Sequence, residues 1–453
     1  MRFLRTVLLT LLSATLLVAQ TSGTITGTVS DSTGAVMPGV KVSVKLSGVE
    51  ERREAITGGS GQYAFPFLAP GEYTIEFQSV GFATTIQKVK LSVTERIAVD
   101  AVLQPSTVVD RIEVAAAGPL LQTESTALGR VVEGAALRQL PLSTRNFTQL
   151  LSLSPGTSSA LNDAGALGRG TQTISASGAR TTSNAITIDG VDAMNIHTNS
   201  ATDNGVGSNG ILVPSPESIQ EFKVQTSLYD AQSGRSGGAN IVLVTRSGNN
   251  AFHGSAFEFL RNTDLNANTF FFNSTGQPRP VLNQNQYGGT IGGPIRRNKT
   301  FFFLSYQGTR QANGLSGSSS LALPNIPLDR SAPSLGKIFA GQKTSKGGTM
   351  VSADGSNINP VALALLNLKF ADGSFVVPSP QVAGSGVNYA VSQPASYKDD
   401  QGIVNIDHQV ARNNHLSFKG MVADQPTYKP FTSAGANVAG FDRPRISRDV
   451  WRT

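Results

Sequence analysis

Cysteine is absent from the 453 residues, which excludes disulfides, thiolate metal sites and a lipid-bearing cysteine. Histidine is scarce as well. His197, His253, His408 and His415 show no H-E-x-x-H or other ligand spacing, so no metal or other cofactor is expected. Charged residues make up only 15% of the chain, and its Lys and Arg are dispersed despite a net charge of +7. That pattern argues against nucleic acid as a partner. Long apolar runs are missing except at the start, where Arg2 and Arg5 precede Val7 to Val18 and small residues follow around Ala19. This predicts a secretory signal over residues 1–19, because the run is shorter than the ~20 residues a membrane span needs. Leu17 at the minus-three position is larger than a cleavage site prefers.

What is abundant is glycine, 47 residues, together with Ser, Thr, Asn and Gln. Low charge and frequent turn residues point to a mostly β chain, and 39% apolar content supplies cores for several domains. Residues 22–104 carry short strands every 8 to 12 residues, punctuated by Asp31-Ser32-Thr33-Gly34, Met37-Pro38-Gly39, Gly58 to Gly61 and Ala69-Pro70-Gly71. Val40, Val42 and Val44 alternate with Lys41, Ser43 and Lys45, while Tyr73, Ile75 and Phe77 alternate with polar neighbours. A small β-sandwich follows, each strand with one buried face.

The segment 105–118 reads as a linker. Within it Thr107, Val108, Val109, Asp110, Ile112 and Val114 form an extended strip able to add a strand to a partner's sheet edge, or to begin the next domain. Residues 119–250 read as a mixed domain, with a short helix over Asn146 to Leu153 and strands at 185–188, 219–225 and 239–245. Beyond 250 the period is two. Phe252 to Arg261, Gln284 to Gly292, Lys299 to Gly308, Gln401 to Val410 and Asn414 to Ala423 are expected strands, joined by alternating long and short connections. In the last of them Leu416, Phe418, Gly420 and Val422 share one face, and His415, Ser417 and Lys419 the other. Apolar-out and polar-in alternation suits a lipid-facing wall around a wet interior. The turns 296–299 and 411–414 then lie on one side of the membrane and the inserts 262–283 and 309–400 on the other. Val361 to Leu368 is expected to be a loop helix, and Phe301 to Phe303 an aromatic girdle at the membrane interface.

Two motifs are decoys. Gly234-Arg235-Ser236-Gly237-Gly238 matches G-x-S-x-G, but the strand follows the serine instead of preceding it, so no nucleophile elbow forms. Gly205 to Gly210 matches G-x-G-x-x-G without a preceding strand and with Pro214 and Pro216 after it. Asp189 and Asp192 could share a cation or a proton, yet they read more simply as a turn after strand 185–188. An enzyme is therefore not expected.

The wording of the chain carries two resemblances. Gly27-Thr28-Val29-Ser30-Asp31, Pro38-Gly39-Val40, Gly61-Gln62-Tyr63-Ala64-Phe65 and Leu68-Ala69-Pro70-Gly71-Glu72-Tyr73 resemble the carboxypeptidase regulatory-like domain. That resemblance implies a transthyretin-like, carbohydrate-binding-like sandwich without peptidase chemistry. Leu140-Pro141-Leu142, Arg145-Asn146-Phe147, Leu153-Ser154-Pro155-Gly156, Ile188-Asp189-Gly190-Val191-Asp192 and Pro216-Glu217-Ser218-Ile219-Gln220-Glu221-Phe222 resemble the plug of TonB-dependent receptors. With Asn285-Gln286-Tyr287-Gly288-Gly289, Gly292-Gly293-Pro294-Ile295 and Lys299-Thr300-Phe301-Phe302-Phe303, they resemble its Oar-like branch.

The fold implied is an N-terminal sandwich, an α+β plug over 119–250 and the first strands of an outer-membrane β-barrel over 251–453. Such a receptor, in a Gram-negative outer membrane, would bind an extracellular ligand, whether carbohydrate, peptide or chelate. It would admit that ligand when a TonB-type inner-membrane energy coupler pulls the plug, with outer-membrane lipid around the wall. The strip 107–114 falls where the coupler contact lies in such receptors. Arg180, Thr181, Asn184, Asp189, Asp192, Asn195 and His197 are the expected ligand-facing plug positions. The alternative is a non-transporting outer-membrane adhesin or scaffold that binds through the sandwich. A plugged barrel needs ~22 strands and on the order of 220 strand residues. Fewer follow Gly248, and the chain ends at Trp451-Arg452-Thr453 without a terminal aromatic residue, so a fragment or truncated gene is expected.

Overall fold

The computed structural model describes residues 21–452 apart from 51, 107–110, 116–126, 143, 160–166, 170–173, 195–212, 230–232, 235–236, 269, 275, 277, 316–317, 344–346, 383–385, 387, 412–413 and 431–444. The predicted signal lies outside the described residues. Nine strands build the first unit: β1 (Gly23–Asp31), β2 (Lys41–Leu46), β3 (Arg52–Ile56), β4 (Gln62–Leu68), β5 (Gly71–Gln78), β6 (Thr84–Leu91), β7 (Arg96–Ala98), β8 (Ala101–Leu103) and β9 (Arg111–Ala115). One sheet has the order β4-β1-β7, with β8 pairing further along β1, and the other runs β3-β2-β5-β6-β9. The alternation read in the sequence is the burial pattern of β5, whereas in β2 Ser43 is buried along with Val42 and Val44. Val42, Val44, Tyr73, Ile75 and Phe77 point between the sheets with Ile25, Val29, Tyr63 and Phe65. Burying each of the larger side chains contributes about 1.5 to 3 kcal/mol. The two buried phenols are satisfied, Tyr63 Oη donating to Val99 O and Tyr73 Oη to Ala69 O (2.7 Å each). Gly27 lets β1 pass under Val99, since a Cβ there would lie 2.0 Å from the Val99 carbonyl oxygen.

The second unit contains β10 (Leu128–Glu133), a short helix Gly134–Gln139, a 3-10 helix Phe147–Leu153, a small hairpin of β11 (Thr157–Ser159) and β12 (Ile174–Ala176), then β13 (Ala185–Ile188), β14 (Val191–Asp192), β15 (Ile219–Ser227) and β16 (Asn240–Thr245). Its sheet runs β10-β15-β16-β13-β14, with β13 and β16 parallel and the other pairs antiparallel. Asn146 caps the 3-10 helix by accepting from the Thr148 amide (3.0 Å), and Phe147 packs its ring 5.5 Å from that of Phe222. Asp189 and Gly190 form the tight turn between β13 and β14, both with positive φ (51° and 86°), the conformation an Asp-Gly pair adopts readily.

The third unit is a curved antiparallel wall in sequence order: β17 (His253–Arg261), β18 (Leu282–Arg296), β19 (Thr300–Asn313), β22 (Ala395–Ala411), β23 (Asn414–Lys429) and β24 (Arg445–Arg452). A hairpin of β20 (Ser318–Leu321) and β21 (Tyr389–Ser392) sits inside the long insert, together with helices Ala332–Phe339 and Pro360–Asn367. Among the described residues β17 and β24 are not paired with each other, so the wall they bound is open. The strands are longer than the hydrophobic alternation suggested, because β18, β19, β22 and β23 continue past it on the side of the long inserts. At 17 residues, β22 runs on the order of 56 Å, well beyond the ~25 Å apolar band of such walls.

Facing is consistent from strand to strand. Ile291, Leu304, Val404, Phe418 and Val422 point outward and are exposed, whereas Gln307, Gln401 and Asn405 point inward and are 1–2% exposed. Outward residues turn polar one row above Val422, at Asp400 and Asp424. Tyr306 Oη donates to Asp400 (2.7 Å), and Arg310 Nη2 donates to both Asp400 carboxylate oxygens (2.8 and 2.9 Å). The Tyr287 and Tyr306 rings stand 6.4 Å apart at this boundary. The phenylalanine run is therefore not the girdle. Phe302 faces out, but Phe301 and Phe303 are buried on the inner face, as a period of two requires.

Candidate functional site

The inner face of the wall is a ladder of amides, hydroxyls and carboxylates, and the second unit is pressed against it. Side chains that would be wet in an open pore are dry here because plug groups occupy them. Near the long-insert end, Gly168 donates its amide to Gln311 Oε1 (2.8 Å). Two rows lower, Gln401 Nε2 donates to Val213 O (2.8 Å), and in the row below that Ser215 meets Ser305 at 3.3 Å. Gln286 Nε2 donates to Thr144 O (3.1 Å). Towards the short turns, Asn405 Nδ2 donates to Thr245 Oγ1 (2.8 Å) and Arg246 O (2.7 Å), and Ser247 Oγ donates to Asp407.

Two buried arginines anchor this seam. Arg169, 2% exposed, donates through Nη1 to Val213 O (2.6 Å) and through Nη2 to Arg145 O (2.8 Å), with the Asp399 carboxylate of β22 at 3.7 Å. Arg145 pairs with Glu217 inside the plug and lays its guanidinium on two rings of β17, 4.0 Å from the Phe259 centroid and 4.7 Å from that of Phe257. Burial lowers the Arg145 pKa, and the bond to Glu217 opposes the shift. The backbone of Arg145 is itself in the left-handed region, with a φ of 51°. Removing either member of such a pair leaves an uncompensated buried charge.

The expected ligand-facing residues separate into three groups. Arg180 and Thr181 are exposed, at the start of a 3-10 turn. Asn184 is buried and committed to the fold: its Nδ2 donates to Ile174 O (2.8 Å) and its Oδ1 accepts from the Ala239 amide (2.8 Å). Asp189 is likewise taken up, accepting from the Thr245 amide (3.0 Å), Thr245 Oγ1 (2.6 Å) and Lys419 Nζ of β23 (2.5 Å). Neither is available to a ligand, which corrects the expectation for both. Lys419, on the inner face of β23, reaches Asp189 and draws its carboxylate into the seam. Asp192 is exposed and caps the Met194 amide (2.9 Å), so Asp189 and Asp192 have separate partners. Asn195 and His197 lie outside the described residues.

Of the partner strip, Thr107, Val108, Val109 and Asp110 also lie outside the described residues. Ile112 and Val114 belong to β9, which pairs parallel to β6 with Ile112 opposite Thr85 and Val114 opposite Gln87. Residues 111–115 thus complete the sandwich sheet and are not the first strand of the plug. Sequence reasoning missed Arg169, Glu217 and Asp399, because isolated charges give no sign of which distant strand they meet. A period of two puts Lys419 on the inner face of β23, but nothing local to it indicates Asp189 as its partner.

A family profile described as an outer membrane beta barrel domain matches residues 244–449, and one described as a carboxypeptidase regulatory-like domain matches residues 24–104. The chain is 30% identical over 320 residues to the TonB-dependent transporter Oar of Myxococcus xanthus, a match covering 65% of this chain and 28% of that protein. Among solved structures it is similar to the outer membrane transporter YddB of Escherichia coli (14% identity, TM-score 0.40, 71% of this chain and 36% of that one). It is also similar to a ferric enterobactin receptor of Pseudomonas aeruginosa solved with enterobactin (10% identity, TM-score 0.37, 67% of this chain and 34% of that one). The chain thus spans little more than a quarter of its curated relative and about a third of these structures.

Proposed function

Starting from a chain that is a homologue of the Oar TonB-dependent transporter, with an outer-membrane β-barrel domain and a residence in the Gram-negative outer membrane, we propose that it binds an extracellular ligand and admits it by energised movement of its plug. No covalent step belongs to this reading. The observation that carries it is the dry polar seam between plug and wall, in which Arg169, Thr245 and Asp189 of the plug meet Asp399, Asn405 and Lys419 of the wall. A seam of hydrogen bonds differs from an apolar core in one respect: water can replace each contact at a net difference of only about 0.5 to 1.5 kcal/mol. A plug held in this way can shift against the wall without exposing greasy surface.

Energy would enter from an inner-membrane coupler of the TonB type through the strip 107–114, whose strand β9 ends the sandwich sheet. A coupler strand could extend that sheet by main-chain pairing. Ligand contact is assigned to the remaining polar plug positions, Arg180, Thr181, Asp192, Asn195 and His197. Carbohydrate, peptide and metal chelate are all compatible with these polar side chains.

The experiment is a deletion of residues 107–114 in the producing bacterium, compared with loss of the whole gene and loss of the coupler. Growth is scored on a panel of oligosaccharides, peptides and ferric chelates. All three strains should lose growth on the same nutrient while surface binding of that nutrient persists in the strip deletion. Unchanged growth of the strip deletion, beside a defect in the gene deletion, refutes coupling through this strip.

A further inference from the structure

Among the described residues the sandwich meets the rest of the molecule at three of its turns and at Lys90 of β6, all at the short-turn end of the wall. After β6, Val93 packs on Val242 and Val244 of the plug sheet, and its amide donates to Glu221 Oε1 (2.5 Å). Between β4 and β5, Pro70 O accepts from Gln220 Nε2 (2.8 Å). Between β2 and β3, Gly48 O accepts from the Asn250 amide (3.1 Å), and a Glu50 carboxylate oxygen lies 3.5 Å from Asn298 Nδ2. Lys90 of β6 adds an ion pair with Glu133. Three valines make up the apolar cluster that joins the units, so the interface is polar and small in greasy area, the kind that permits domains to separate.

Beside these contacts runs a cleft of about 250 Å³ lined by Glu72, Lys90, Glu133, Arg138, Glu221 and Arg246. Glu221 lies at its base, 4% exposed. We propose that the sandwich is a detachable cap on the underside of the plug, held by the neutral form of Glu221 and released when that carboxyl ionises. The reason is desolvation. Beneath the Val93 turn the Glu221 carboxyl is 4% exposed and accepts from the Val93 amide, so its charged form is poorly solvated there, and lifting the turn opens it to solvent.

Burial holds the Glu221 carboxyl up at about 7, against an ordinary value of 4.5. The Val93 amide and Lys90 pull it down, and Glu95 and Glu133 push it further up. Arg138 and Arg246 face the same cleft and do not reverse the sign. Because the capped value lies above the free one, capping is strongest below about pH 4.5, weakens as pH rises to about 7, and changes little beyond. A fully hydrated carboxyl at 4.5 is the limit for the released group, so linkage sets a ceiling of roughly 30-fold on the weakening of capping between pH 5.5 and pH 8, and the plug groups that stay around Glu221, Glu133 among them, lower it.

A chain without cysteine suits a distance measurement. Nitroxides at Val80→Cys, 99% exposed on the sandwich, and Val410→Cys, on the outer face of the wall, are read by pulsed electron resonance on the whole protein in phospholipid vesicles. One short distance is expected at pH 5.5, with a second, longer population growing towards pH 8. Glu221→Gln should keep the short distance at both pH values. Hydrogen exchange at residues 92–95 of the protein without that substitution supplies a second measurement, with protection falling between pH 5.5 and 8 beyond the intrinsic rate change. A single distance and constant protection at every pH overturn the proposal. So does a long population that depends on neither pH nor Glu221→Gln. Nutrient uptake is not part of this readout, so its outcome and that of the transport reading stand separately.

Discussion

Phe418→Arg tests the orientation of the wall. Phe418 lies in the same cross-strand row as Ile406, Phe302 and Gly293, near the middle of the apolar rows that begin at Leu416 and end at Val422. Its ring is 61% exposed, so the substitution removes little packing against the protein and its cost reports on the surrounding medium. At mid-membrane depth an outward arginine should cost about 2 to 4 kcal/mol, falling to about 0 to 1 kcal/mol near the interface. Tyr428→Arg is the matched control, because Tyr428 shares the outward face of β23 but lies three rows above Val422. Both variants are refolded into phospholipid vesicles and titrated with urea. The expected result is a loss of at least 2 kcal/mol at Phe418 and under 1 kcal/mol at Tyr428. Equal losses, or a loss below half a kcal/mol at Phe418, refute a lipid-facing surface.

Arg145→Ala should destabilise the plug by about 3 to 5 kcal/mol, because Glu217 is left buried without its cation. The double change Arg145→Met with Glu217→Leu should recover most of that loss, as measured by urea titration with protease digestion of the plug. Gly27→Ala drives a methyl into the Val99 carbonyl and should cost about 3 kcal/mol, at the upper end of overpacking effects. The readout is the urea midpoint of sandwich peptides followed by hydrogen exchange, and a shift too small to resolve contradicts the close strand approach.

The residues themselves determined the parts of the fold that depend on a repeating period. Alternation at Val40 to Lys45 and at Tyr73 to Gln78 fixed which faces of the sandwich are buried, and alternation at His415 to Val422 fixed the inner and outer faces of β23. The Asp-Gly pair at 189–190 fixed a tight turn, because few other pairs adopt two positive φ angles at so little cost. Strand ends were not legible. Above Val422 the outward residues become polar while the backbone ladder continues, and hydrogen-bonded pairing leaves no trace in hydropathy.

Only the tertiary structure decided which group meets which. Asn184 and Asp189 look like ligand-facing polar residues in the chain, yet Ala239 and Lys419, remote in sequence, take up their side chains. Phe303 looks like a membrane aromatic, and its neighbours in the run leave its face ambiguous until the plug covers it. The strip around Ile112 could equally have opened the plug sheet, and parallel pairing with β6 assigned it to the sandwich. Periodicity is local and survives in the sequence. Partnership between residues a hundred or more positions apart depends on how three units stack, which no local pattern encodes.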